Sequence, residues 1–256
     1  MAGSVIMFAN QKGGVGKTTS VFEIGYLLSK KGKNVLMIDL DAQVNLTEIT
    51  GAEYEKGKTV YDAVTANAPF SDCIVNIRDG LDLIPGSRKM LSQHFVTVDD
   101  LYLLQDGLQY IYNFKPYDYI LIDVGPEAGQ MMTMAMIASD YIVAVTSLAP
   151  LGYSGVVQLC ADLGSNRKHF ANFNVKPLGI LVNNVKRTNV AGVNREQFLE
   201  LAREFGAEPF KNEVPGSCKA DECKMLKEPL AEYAPQSPLV QAFSEITDEI
   251  TERIGA

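Results

Sequence analysis

Residues 10–20, N-Q-K-G-G-V-G-K-T-T-S, gather three glycines, two lysines and two threonines into eleven positions. That set suits one chemistry, the binding of a phosphate chain. Gly13, Gly14 and Gly16, with Val15 between them, let the backbone approach phosphate oxygens and turn its N–H groups inward. Lys17 then reaches the β- and γ-phosphates, the Thr18 hydroxyl ligates Mg²⁺, and Thr19 completes the G-K-T-T run. The stretch departs once from the phosphate-loop pattern G-x-x-x-x-G-K-[ST]. Gln11 stands where the first glycine belongs, and a second lysine, Lys12, follows it.

A triphosphate site also needs carboxylates for its metal. The apolar run Y-D-Y-I-L-I-D-V ends at Asp123, which can hold Mg²⁺ through water in the Walker B manner. A second run, V-L-M-I-D-L-D-A-Q-V-N-L-T, delivers Asp39 and Asp41. Carboxylates two apart on an extended stretch share a side, so both can face the phosphate end of a sheet.

The elements that must position these groups are legible as alternating patterns. Continuous apolar runs at 5–10, 34–39, 81–86, 118–124, 141–145 and 177–183 read as buried strands, which want helices on both faces. Apolar residues three and four apart predict helices over 17–31, 97–113, 128–138, 153–170, 193–205 and 237–253. Strand alternating with helix implies parallel strands and right-handed crossovers, hence an α/β fold with one doubly wound, mostly parallel sheet. The loop at 10–20 then sits between the first strand and the first helix, whose unpaired first-turn amides attract phosphate. No linker, repeat or low-complexity tract divides the chain, so 1–256 is expected to form a single domain.

Bulk composition limits the partners. With 256 residues, 46% of them hydrophobic, the chain can build a full core without staples. A formal charge of −8 argues against a surface coated for nucleic acid, leaving room only for a local patch. Cys73, Cys160, Cys218 and Cys223 are scattered, which suits a reducing cytoplasm, and the C-x4-C spacing of the last two is not a metal-binding pattern. The N-terminus lacks a leader-like sequence, and no apolar run approaches the ~20 residues of a membrane span. A cytoplasmic location away from any membrane follows as the expectation.

The segments N-Q-K-G-G-V-G-K-T-T-S, V-L-M-I-D-L-D-A-Q-V-N-L-T, Y-D-Y-I-L-I-D-V-G-P and L-G-I-L-V-N-N together resemble the ParA/MinD group of deviant Walker A ATPases, and its ParA (Soj-like) branch above all. The resemblance extends to L-D-L-I-P-G, A-P-L-G-Y-S-G-V-V-Q-L and the closing segment from Glu213. It implies a P-loop ATPase that forms a homodimer on ATP and hydrolyses it slowly with Mg²⁺ to ADP and phosphate. The swap at Gln11–Lys12 then has a purpose: Lys12 becomes the signature lysine acting across the dimer, while Lys17 acts within its own subunit. Carried over in the same way, Asp41 orients the attacking water and Asp39 supports the magnesium. Asn184 contacts the adenine, a role Asn183 can exchange with it, and Pro215 covers the ring. The resemblance further implies a ParB-like adaptor that stimulates hydrolysis with a short basic segment, and a role in plasmid or chromosome partition or in cargo positioning, with a nucleoid location if DNA is bound.

Four places depart from the family. Ala42 and Val44 replace proline and glycine in D-P-Q-G-N-x-T, and a β-branched residue at Val44 avoids positive φ. One proline, Pro126, stands where the family usually has two, and Gly216 stands where chromosomal members have arginine. Lys211, Lys219, Lys224 and Lys227 form at most a modest basic face, so non-specific DNA binding stays open. A MinD-like membrane switch would need a basic amphipathic C-terminus, and S-E-I-T-D-E-I-T-E-R-I-G-A is acidic. A nitrogenase-iron-protein-like electron donor would need a cluster cysteine soon after Asp123, and D-V-G-P-E-A-G-Q-M-M-T-M-A-M has none. A dethiobiotin-synthetase-like ligase is compatible in fold but unsupported by motif.

Overall fold

The computed structural model describes residues 3–93, 95–127, 129–170, 173–185 and 195–255. Seven strands form one sheet: β1 (Ser4–Ala9), β2 (Val35–Asp39), β3 (Val75–Arg78), β4 (Leu81–Ile84), β5 (Tyr119–Asp123), β6 (Tyr141–Thr146) and β7 (Lys176–Val182), in the spatial order 3-4-2-5-1-6-7. All neighbours pair in parallel except β3, which runs antiparallel to β4 at one edge. The expected doubly wound sheet is thus the observed one. β3 is an addition: V-N-I-R is short and half exposed, so it carries no buried apolar run to announce it.

Ten α-helices are described. They are α1 (Lys17–Lys30), α2 (Asn45–Thr50), α3 (Val60–Val64), α4 (Leu103–Phe114), α5 (Gln130–Ala138), α6 (Pro150–His169), α7 (Arg195–Phe205), α8 (Lys219–Leu226), α9 (Leu230–Tyr233) and α10 (Pro238–Gly255). The six long ones match the periodicity; α4 starts later than expected because Asp99–Tyr102 tightens into a 3₁₀ turn. The first residue of the expected helix 128–138, and residues 193–194 of the expected 193–205, lie outside the described residues.

Residues of β1 and β2 alternate between two cores. Val5, Met7 and Ala9 of β1 join Leu36 and Ile38 of β2 on the face covered by α4, α5, α6 and α7. Ile6 and Phe8 join Val35 and Met37 on the other face, under α1 and α10. Each fully buried side chain of this size contributes about 1.5–3 kcal/mol relative to exposure, which fixes strand register firmly. Register decides the site: Asp39 and Asp123 are paired in β2 and β5, and Phe8 of β1 pairs with Asp123. The carboxyl ends of the three central strands therefore open on one place. At the far edge, residues 208–216 follow β7 as an irregular ribbon, with Pro209 and Pro215 bridged to Ile180 and Val185.

Candidate nucleotide site

β1 ends at Ala9, and the loop that follows turns directly into α1. Gly14 and Gly16 take φ of 75° and 96°, which glycine adopts without strain. Gly16 caps α1 with no side-chain hydrogen bond, and the first turn carries no acidic residue, so its amides are left for an anion. Gly16 must also lack a side chain for space: a Cβ there would lie 1.8 Å from the Asn183 amide nitrogen. Gly13, Gly14, Gly16, Lys17, Thr18 and Thr19 line a cavity of about 410 Å³, closed from the other side by Asp41, Gln43, Asn45, Ile49, Pro126 and Lys224. Val15 is buried beneath the loop.

The charges at and beneath this cavity are unbalanced, with Lys17 and Asp41 on its lining and Asp123 buried behind it. Asp123 has no exposed surface, and among the described residues neither of its carboxylate oxygens has a well-formed hydrogen bond. Burial, with the neighbouring Asp39 and Asp41, holds its carboxyl well above the usual range, against the opposing pull of the Thr18 hydroxyl and Lys17. Lys17 is 7% exposed; its ammonium donates to the Lys12 carbonyl at 3.3 Å. Burial lowers its pKa even though Asp123 and Asp41 act to raise it. An acid without a well-formed hydrogen bond and a cation with one carbonyl stand together in a dry site, an arrangement that a metal–phosphate pair completes.

Asp39 and Asp41 divide their work. Asp39 Oδ2 accepts from the Thr47 amide at 2.8 Å and its hydroxyl at 2.7 Å, and Oδ1 from the Asp41 amide at 3.2 Å. Burial pushes its carboxyl up to about 6, with the Thr47 bonds opposing and Asp41 adding to the rise. The Thr47 hydroxyl in turn accepts from the Gly86 amide at 2.8 Å. Asp39 therefore holds the turn between β2 and α2, a fit to a positioning role more than to direct metal ligation. Among the described residues Asp41 accepts from the Gln43 amide, at 2.9 Å, and it lines the cavity. The turn ends at Val44, which takes φ 63° and ψ 27° in spite of its β-branch. The expectation that Val44 avoids positive φ thus needs correction: its backbone closes the turn, its amide donating to the Asp41 carbonyl and its carbonyl accepting from Glu48.

Lys12 is exposed at the rim, while Lys17 is inside. The base contacts are less direct. Asn184 is exposed, with φ 55°, whereas Asn183 donates from its side chain to the Val15 carbonyl at 2.9 Å. Asn183 therefore sits on the loop, and Asn184 lies beyond it with Pro215, which pairs next to Val185. Neither Asn184 nor Pro215 lines the cavity. Lys224, Gln43 and Asn45 do, and sequence reasoning did not single them out as site residues. Lys224 donates to Asp221 at 3.2 Å; only the packing of α8 beside α2 brings it to the loop. Cys218 is an exposed thiol and Cys223 a buried one, neither in a disulfide.

The family model described as AAA domain matches residues 3–176. The chain belongs to that AAA domain family. The chromosome partitioning protein ParA of Caulobacter vibrioides is 28% identical over 97% of this chain and 94% of its own length. A McdA variant of Cyanothece in complex with ATP superposes with a TM-score of 0.84 at 20% identity, covering 99% of this chain and 96% of that one. The septum site-determining protein MinD of Pyrococcus horikoshii, complexed with Mg-ADP, gives 0.79 at 21% identity, covering 100% and 98%. The two structures carry the fold. Within the AAA domain family the chain is a P-loop ATPase of the ParA/MinD type, and ATP hydrolysis is its reaction.

Proposed function

We propose that this ATPase is a ParA-like switch that dimerises on ATP, binds DNA without sequence preference and is reset when an adaptor stimulates hydrolysis. The reading takes 1–256 as one working domain. What carries it is the split of the two loop lysines, with Lys17 buried against the phosphate cavity and Lys12 exposed on its rim. A lysine kept outside its own cavity supports a role on a second one.

In this reading Lys17 and the α1 amides bind the β- and γ-phosphates, and Thr18 and Asp123 hold Mg²⁺. The oxygens of Asp123, without a well-formed hydrogen bond, fit that cation. Bound there, Mg²⁺ supplies the positive charge that lets both phosphates enter a buried site. Asp41 orients the attacking water in line with the leaving group, and Asp39 keeps Asp41 in place through its amide. Lys12 neutralises phosphate charge in the partner's cavity, without which two triphosphates would approach through a partly dried interface. Asn183 or Asn184, with Pro215, takes the base. The net charge of −8 suits a basic activating segment such as a ParB-like adaptor supplies.

The test is sedimentation with ATP in an Asp41→Ala background, where hydrolysis is blocked. Lys12→Ala is expected to reduce the dimer severely while ATP binding by the monomer persists; equal dimer fractions would return Lys12 to the surface. Retention on non-specific DNA is measured with the same proteins. A dimer that ignores DNA assigns the switch to a non-DNA assembly instead.

A further inference from the structure

Asn10 lies just ahead of the glycines and has no exposed surface, yet its amide is fully engaged. Its Oδ1 accepts from the Lys12 amide at 2.9 Å. Its Nδ2 donates to the Val145 carbonyl of β6 at 2.8 Å and to the Gly152 carbonyl in the first turn of α6 at 3.1 Å. The neighbouring Gln11 donates to the Asp162 carboxylate further along α6. The helix is cleared to receive this: a Cβ on Gly155 would fall 1.8 Å from Asn10 Oδ1 and 2.9 Å from Lys12 Cγ. The Lys12 peptide is thus gripped through its N–H by Asn10, while its carbonyl receives the Lys17 ammonium.

We propose that Asn10 is a positioning residue for the reaction: it ties the Lys12 backbone to β6 and α6 and so aims the Lys12 side chain out of its own cavity. The inference rests on the dimer reading above. An amide suits the task because it both accepts from the loop and donates to two carbonyls, which neither aspartate nor leucine does. A loop without it keeps its glycines, and hence its phosphate affinity, but loses the direction of one lysine. Misplacement of that kind weakens a geometry-dependent step far more than it weakens ground-state binding.

The experiment is a double-mutant cycle on ATP-dependent dimerisation in the Asp41→Ala background, with ATP binding by the monomer measured alongside. Asn10→Ala is expected to weaken dimerisation on the order of tenfold to a hundredfold, while ATP binding changes by less than about threefold. Adding Asn10→Ala to Lys12→Ala should then weaken it no further, because the second residue acts only through the first. Additive losses, or an ATP affinity that falls in step with dimerisation, would overturn the proposal. Should Asn10→Ala fail to fold, Gly155→Ala takes its place, since its methyl displaces Asn10 while leaving the amide in the chain; wild-type dimerisation in that variant refutes the tie. Lys12→Ala with wild-type dimerisation sinks the dimer reading and this inference together, whereas a normal Lys12 defect with additive Asn10 losses sinks the inference alone.

Discussion

Replacing Glu23 by glutamine should flatten the pH dependence of stability between pH 6 and 8. Glu23 lies in α1, one turn beyond the phosphate loop, and is 2% exposed. Its two oxygens share the Leu230 amide at 3.1 and 3.0 Å, tying α1 to the start of α9. Burial pushes its carboxyl up from 4.5 to about 8, against the Leu230 bond and the Lys224 charge and with help from Glu232. The folded protein therefore holds a proton that the unfolded chain releases. Below pH 4.5 both states are protonated and the contribution is complete; as pH rises toward about 8 the unfolded chain alone ionises, and stability drains away. The whole span corresponds to on the order of 5 kcal/mol at about 1.4 kcal/mol per pH unit. Asp39 shifts in the same direction but only up to about 6. Between pH 6 and 8, Glu23 should then remove on the order of 2 kcal/mol, equivalent to about 4–8 °C in Tm for a chain of this size, in addition to the loss from Asp123, which is raised in the same direction and is common to both proteins. Glutamine keeps an oxygen for Leu230 and has no proton to lose. Thermal unfolding of both proteins across that window is the assay, and parallel curves would refute the reasoning.

Lys17→Ala should lower ATP affinity at least about tenfold, because the γ-phosphate loses its buried cation; isothermal titration that finds wild-type affinity would contradict the assigned loop. Asp123→Asn should raise Tm in metal-free buffer, since it removes a buried carboxylate that crowds Asp39 and Asp41, and should abolish the extra stability that Mg²⁺ with ATP confers on the wild type. Val44 gives an inverted ranking. Val44→Ala loses packing and keeps the left-handed strain of about 1–2 kcal/mol, whereas Val44→Gly loses packing but relieves it. Urea unfolding should find the glycine variant the more stable of the two, and the usual order, alanine above glycine, would show the strain to be absent.

Elements and site were legible to different degrees for physical reasons. The phosphate loop, β1, β2, β5 and Asp123 were legible because local composition determines them: glycines for a turn, buried strands for a parallel sheet, a carboxylate at a strand end. β3, α2 and α9 carry four to six residues each, too few for a period to show. Asn183 and Asn184 are adjacent and chemically alike, so only the turn after β7 decides which reaches Val15. Lys224 depends on the packing of α8 beside α2, and Glu23 on that of α9 against α1, contacts between residues far apart in the chain. Asn10 was in plain view but silent, since its partners lie on β6 and α6.

The edges of the sheet have a bearing on how this protein can associate. One is a four-strand-residue antiparallel β3 broken by a register shift, and the other is screened by the ribbon carrying Pro209 and Pro215. The first offers only a short, irregular run of backbone groups and the second is partly covered, so both are poor templates for a foreign strand. Growth into open-ended fibres by strand addition is disfavoured at both sides. Any contact between copies then falls to side-chain surfaces, the helix faces or the loop end of the sheet where the cavity opens, and not to shared backbone ladders.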